Sequence, residues 1–347
     1  MREGMELIKA LSLAFGPTGC EGEVAALIRE EIKDLPVELY TDRMGNLTAH
    51  LHGPEGAVRV LLSAHMDEVG FMITEIEKKG FLRFSTVGGI DPRVMVGRAV
   101  TLGDESKRVN GVIAAKGIHF QSAEERAKMP ELKDMYIDIG VSDKESAEGL
   151  VSLGDFGTFD TPFLTLGAEG EYLSGKALDD RLGCAVLIEL LRLVADKHLP
   201  LDLWFAFTVR EEIGLSGATV VANRIAPDIA FILETTAMAD LPDVPAARRV
   251  ADMGQGGVLS LLDRATIYDR ALIDKALEIG KRKSIPVQVK RFVSGGNDAK
   301  NVQRTGTGVR CMALSAPTRY LHAPVMVAKH SDAVAMIDLL EAMLEEL

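Results

Sequence analysis

A chain of 347 residues, 47% hydrophobic, has material for one large domain or two ordinary ones. Its formal charge of -12 argues against polyanionic partners, because nucleic-acid binding rests on a basic stripe that releases counterions. The three cysteines (Cys20, Cys184, Cys311) are odd in number and far apart, which excludes a disulfide framework and a Cys-x-x-Cys metal knot and fits a reducing compartment.

In chain order, MREGMELIKALSLAFG carries charges inside its first turns and reads as an amphipathic helix, not a signal peptide. No segment approaches a membrane span, so a cytoplasmic protein without membrane contact is expected. Helical spacing covers residues 3–14 and 21–34, and VRVLLSAHMDEV follows as a short apolar strand that stops at His65 and Asp67. From about Gly70 to Asp160 the texture changes to short β-branched pieces (GRAVTL, NGVIAA, MYIDIGV) between glycine-rich or charged turns, the pattern of a small β-rich unit. A strong helix runs through DDRLGCAVLIELLRLVADKH. Strands and helices then alternate: LDLWFAFTV, IAFILE, a helix through ALIDKALEIGKRK, VRCMALSA, and a closing helix near 328–346. Alternation predicts an α/β layered sheet. The simplest architecture is an α/β domain made from residues 1–68 and 161–347, with the β-rich unit, 69–160, inserted into it. Residues 240–245 form the clearest loop.

Four predicted strands end in metal-ligand or acid residues: His65 with Asp67, Glu211 with Glu212, Glu234, and the stretch leading to His322. Ligands of open α/β sheets bind beyond the carboxyl ends of the strands, so these positions can converge on one crevice. Asp179 in GKALDDRLG lies where a loop meets the long helix; Asp180 beside it suits the helix N-cap, which leaves Asp179 free. Any one of these residues alone reads as a solvated strand end. Together they make an oxygen and nitrogen donor set suited to zinc, cobalt or manganese. So many carboxylates in one cleft would repel one another without cations, a conflict that two divalent ions remove. His65 and Asp67, two apart on a strand, share a face, which places Asp67 to orient the imidazole. The adjacent glutamates at the frayed end of LDLWFAFTV point in roughly opposite directions, so one carboxylate can bind metal while its neighbour serves as general base to a water.

Other motifs fall away. GEYLSGKA has phosphate-loop spacing, but Ala177 stands where the magnesium-binding hydroxyl belongs. None of the seven histidines forms a His-Glu-x-x-His pair, Ser216 lacks the flanks of a nucleophile elbow, and sequence-adjacent glutamates rarely straddle a sugar as glycoside hydrolysis requires.

The series FGPTGCEGEV, TDRMGNLTAHLHG, DPRVMVGRAV, SGKALDDRLGCA, SGGNDAKNVQ and APTRYLHAP, in that order along nearly the whole chain, resembles the tetrahedral, or TET, metallo-aminopeptidases, which include glutamyl and deblocking aminopeptidases and cellulase M-like proteins. The resemblance implies a three-layer α/β/α zinc-peptidase-like catalytic domain with an inserted small β-barrel-like dimerisation domain. It implies two divalent metal ions per subunit, zinc first, with cobalt or manganese as alternatives. Asp179 would bridge them, His65 and Glu234 completing one site and Glu212 and His322 the other, with Glu211 as general base and Asp67 orienting His65. Peptides are the implied substrates, and dimers assembling into a tetrahedral dodecamer the implied homo-oligomer. Glu234 stands where several relatives carry Asp, and GGND where many have GGTD, differences that bear on substrate preference. Another dinuclear hydrolase, such as a carboxypeptidase or deacylase, and a peptide-binding protein that kept the fold are the alternatives.

Overall fold

The computed structural model describes every residue except Met1, Glu105 and Asp243. The chain opens with helices α1 (Arg2–Leu13) and α2 (Gly22–Ile32) and strands β1 (Glu38–Thr41), β2 (Leu47–Leu51) and β3 (Val58–His65). Six strands follow: β4 (Gly70–Ile76), β5 (Leu82–Val87), β6 (Ala99–Gly103), β7 (Arg108–Ala115), β8 (Met135–Asp138) and β9 (Phe156–Phe159), with short helices α3 (Ala123–Ala127) and α4 (Lys144–Glu148) in their connections. These six close a barrel in the order β4-β5-β8-β7-β6-β9. The chain then returns through β10 (Leu164–Leu166), β11 (Tyr172–Gly175), α5 (Leu178–Val194), β12 (Leu201–Thr208), α6 (Ser216–Ile225), β13 (Ile229–Ala237), β14 (Gly257–Leu259), α7 (Arg270–Lys283), β15 (Val287–Val289), α8 (Ala299–Val302), β16 (Arg310–Arg319), β17 (Met326–Lys329) and α9 (His330–Glu345).

The second sheet has 11 strands along β1-β2-β12-β3-β13-β16-β17-β11-β10, with β14 and β15 as a side branch. Its centre, β12-β3-β13-β16, is parallel throughout. Helices cover such strands on both faces, which is why they are continuous apolar runs rather than alternating ones: Val60 to Ala64 in β3 and Ile229 to Leu233 in β13 are buried without interruption. Helix α5 packs against both strands and against α1 and α9, with nearly every side chain buried. Helix α1 closes the same layer through Leu7, Ile8 and Leu11, spaced to share one face. The barrel holds a separate hydrophobic cluster around Phe71, Leu102, Ile113 and Ile137, with Phe71 edge-on to Phe84 and Phe159. The architecture is the mixed α/β sheet with a small β-barrel expected from the sequence. The phosphate-loop look-alike is ordinary sheet structure, its Tyr172–Gly175 forming β11 between β17 and β10. The loop expected at 240–245 lies in the β13–β14 connection; Asp243 within it lies outside the described residues.

Candidate metal centre

The carboxyl ends of the parallel strands open on a cleft of about 310 Å³ lined by His65, Asp179, Glu211, Glu212, Glu234 and His322, among others. His65 is the last residue of β3, and Glu211 and Glu212 occupy the turn after β12. Glu234 differs from the sequence expectation: it lies within β13, which runs on to Ala237, and reaches the cleft from the strand's side rather than its end. His322 sits in the β16–β17 connection with φ 57°, and Arg210, just ahead of the glutamates, has φ 58°. Both are left-handed, an arrangement that costs a residue with a side chain of order 1 kcal/mol and recurs at functional sites. At the mouth of α5 the dihedrals of Asp179 and Asp180 are non-helical. Asp180 Oδ1 accepts the Gly183 N–H at 3.1 Å, which caps the regular helix and leaves the Asp179 carboxylate to the cleft.

Asp179 lies between the two imidazoles. Its Oδ1 is 3.5 Å from His65 Nε2 and its Oδ2 3.3 Å from His322 Nε2. Glu234 Oε2 is 3.9 Å from the first imidazole and Glu212 Oε1 3.4 Å from the second. Two triads of potential ligands result, His65-Asp179-Glu234 and Asp179-Glu212-His322, sharing the aspartate. Ligands held at ~2.0–2.2 Å around a tetrahedral ion are roughly 3.4 Å apart, close to these spacings. Both rings place Nδ1 against a main-chain carbonyl, Asp67 O at 3.1 Å and Gly89 O at 3.0 Å, which leaves each Nε2 lone pair for a ligand. Asp179 Oδ1 is buried with no hydrogen-bond partner. An orphaned carboxylate oxygen facing an imidazole nitrogen fits a cation between them.

The electrostatics have the same sense. Burial raises Glu211 and Glu234 well above the ordinary carboxylate range and Glu212 to about 7, with neighbouring carboxylates adding to the rise. Burial works against the charged form of both histidines, yet contact with Asp179 outweighs it and raises them, His322 to about 9. Asp179 is held low in spite of burial by those imidazoles. With protein alone, the cluster stores protons to limit its own charge. Divalent cations relieve the same repulsion, so the donor set fits a pair of them.

Asp67 meets His65 less directly than expected. Its carbonyl is nearer the ring than its carboxylate, which is 3.5 Å away at Oδ1. The carboxylate instead accepts the Thr18 hydroxyl at 2.8 Å and the Glu211 and Glu212 N–H groups at 3.0 and 3.1 Å. One buried aspartate thus fixes the glutamate turn against the end of β3. Sequence reading also missed Asp298, buried and bonded to Thr208 at 2.8 Å, whose charge adds to the rise of Glu211. It missed Lys290 and Asp263 as well, which line the same cleft. The motif SGGND was the available signal for Asp298; Lys290 and Asp263 carry none.

A sequence profile described as M42 glutamyl aminopeptidase matches residues 45–339. The chain belongs to the M42 aminopeptidase family. A relative from Acetivibrio thermocellus, described as a putative aminopeptidase, is 36% identical over 96% of both chains. The crystal structure of a TET aminopeptidase from Thaumarchaeota archaeon SCGC AB-539-E09 superposes with a TM-score of 0.95 at 34% identity, covering 100% of this chain and 97% of that one. A TET1 peptidase of Pyrococcus horikoshii, described as assembling into a tetrahedron or a large octahedral shell, superposes at 0.88 with 36% identity over 99% and 100% of the two chains. As an M42 protein the chain is an aminopeptidase, a peptide hydrolase of a family that uses divalent metal. Among the described residues, no helix is long and apolar enough to cross a membrane.

Proposed function

We propose that this chain removes N-terminal residues from short peptides at a dinuclear centre, one ion held by His65, Asp179 and Glu234 and the other by Asp179, Glu212 and His322. The observation that carries the reading is the Asp179 carboxylate set between two imidazoles, with one oxygen buried and unpartnered. Two imidazoles and three carboxylates suit zinc first, with cobalt or manganese as alternatives. When bound, the ions supply Lewis-acid polarisation of the scissile carbonyl and acidify the attacking water.

The protein's part is proton handling and position. Glu211 belongs to neither ligand triad, and its side chain lines the cleft. It accepts the proton of the attacking water and delivers it to the departing amine nitrogen, so that one carboxyl serves both half-reactions. Its place in the cleft beside both triads, committed to neither, is what this shuttle needs. Asp67 holds the N–H groups of Glu211 and Glu212, so that base and ligand keep fixed bearings on each other.

The unit formed by residues 1–68 and 161–347 is the catalytic domain in this reading, and 69–160 mediates dimer contacts. The P. horikoshii peptidase assembles into closed shells. By analogy, dimers of this chain build a tetrahedral dodecamer, in the cytoplasm. The deciding experiment is Glu211→Gln: kcat on aminoacyl chromogenic substrates is expected to fall by ~10²–10⁴ while both metal equivalents stay bound. Chelation is expected to abolish wild-type activity and zinc, cobalt or manganese to restore it. Full turnover by the glutamine variant removes Glu211 as the base, and a chelator-resistant wild type removes the metal centre.

A further inference from the structure

We infer that the hairpin at the edge of the large sheet carries a separate site for a zinc-class divalent cation, built from Glu38, His50 and His52. His50 and His52 flank Leu51, so both side chains leave the backbone on the same side. The register of β1 against β2 sets Glu38 opposite His50. One donor atom from each of the three lies within 4.8 Å of the other two, and His52 Nε2 is 3.1 Å from Glu38 Oε2. The two imidazole centroids are 3.8 Å apart.

His50 is already held as a ligating histidine is held. It is buried, its Nε2 is 2.7 Å from Asp202 Oδ1, and its ring stacks on Trp204 at 3.6 Å with an interplanar angle of 13°. Trp204 Nε1 donates to the other Asp202 oxygen at 3.0 Å. A carboxylate behind one imidazole nitrogen fixes that nitrogen as the donor and leaves the ring's lone pair on Nδ1. Two imidazoles and a carboxylate suit zinc, copper or nickel, with a position left for water. Tetrahedral ligands are roughly 3.4 Å apart; the His52–Glu38 pair at 3.1 Å is already near that spacing, while the two imidazoles, with centroids 3.8 Å apart, must splay to share one ion. The parts that move are His52 and Glu38, whose side chains are 64% and 69% exposed. A bare His52-Glu38 ion pair needs neither the locked His50 nor the carboxylate behind it.

The ion would tie β1, the outermost strand of the sheet among the described residues, to β2. A cation that binds only the folded hairpin stabilises it. The site is independent of the catalytic cleft: Trp204 pairs with Leu61, four residues before His65, which is roughly 13 Å along the strand.

Trp204 is the only tryptophan in the chain and lies against His50, so it reports on this site. Metal-stripped protein is titrated with zinc chloride near neutral pH, beside His52→Ala and Glu38→Gln. Wild type is expected to bind one more zinc equivalent per chain than either variant. The Trp204 emission should change in step with that equivalent, and copper(II) should quench it in wild type alone. Aminopeptidase activity of the reloaded proteins is expected to be equal. Equal zinc content in wild type and His52→Ala, with Trp204 emission unmoved by zinc, overturns the proposal whatever the stoichiometry at the cleft.

Discussion

Outside the cleft, Glu68 is a buried junction. Its Oε1 accepts Lys176 Nζ at 2.6 Å and Arg181 Nη2 at 3.3 Å, and its Oε2 accepts the Thr158 hydroxyl at 2.7 Å. Arg181 is fully buried and satisfied by the carbonyls of Met66, Leu11, Ala14 and Gly16. Two interior cations therefore depend on one carboxylate, which also touches β9 of the barrel. Breaking a buried ion pair from one side costs ~3–5 kcal/mol, because the partner charge stays behind uncompensated. Glu68→Gln should lose about that much in a denaturant titration, whereas Lys176→Met, which deletes a desolvated charge, should lose markedly less. Asp202 gives a pH-dependent counterpart. Partial burial works against its ionisation, yet His50, Trp204 and the Gly53 N–H hold its pKa at about 2. A carboxyl depressed on folding contributes stability that is full above its ordinary 3.8 and is lost as pH falls through the folded value. Asp202→Asn should therefore be less stable than wild type by ~1 kcal/mol at neutral pH, and the difference should vanish as the titration is repeated toward pH 2. A difference independent of pH would mean that packing, not charge, sets its value.

At the scale of elements, the mouth of α5 shows why a helix can be legible in sequence while its function is half so. The apolar run from Leu182 onward announces a buried helix, and the acid pair before it announces a cap. That Asp180 takes the capping bond and Asp179 the cleft was expected from the same pattern. Gly183 was not legible: a Cβ there would collide with both carboxylate oxygens of Asp180, a contact that pairwise spacing cannot reveal. Gly183→Ala sets a helix-propensity gain of ~1 kcal/mol against an overpacking cost of ~1–3 kcal/mol. Overpacking wins, and Asp180 must move. Because Asp179 is its neighbour in the chain, bound metal per subunit should drop and activity fall at least tenfold, with the far-ultraviolet circular dichroism of wild type retained. Full metal content in this variant would detach the helix cap from the site. Glu234 illustrates a different limit. The polar break after IAFIL reads as a strand end, but β13 continues through Thr235 and Thr236 because it stays paired with β16 to Ala237. A strand that lines a cleft can carry polar residues without ending. Likewise Asp67 reads as an imidazole partner from its i+2 spacing, while its hold on the glutamate turn depends on β12 lying beside β3, which no local pattern specifies.

At the scale of the whole molecule, the short β-branched pieces between Gly70 and Asp160 were legible as strands of the barrel because period-2 patterning and turn residues are local properties. What joins that unit to the cleft was invisible, since it passes through main-chain atoms and buried polar contacts: Gly89 O on His322 and Glu68 on Thr158. Equally invisible was the apolar surface of the β7–β8 excursion, where Ile118, Phe120 and Met129 are 58%, 78% and 60% exposed. Hydrophobic patterning reads burial within one chain, and residues awaiting another copy look like noise in a polar loop. Exposed apolar side chains that gather into one patch mark an interaction surface. If the chain builds closed shells as the P. horikoshii peptidase does, that excursion is a natural point of contact between subunits. Phe120→Asp puts a charge on its most exposed apolar side chain without touching the barrel cluster or the cleft. Light scattering should then give wild type the mass of a dodecamer and the variant that of dimers or smaller, with wild-type activity on dipeptide substrates in the variant. A dodecamer in both would place the contacts elsewhere on the barrel, and a monomeric wild type would sink the shell itself.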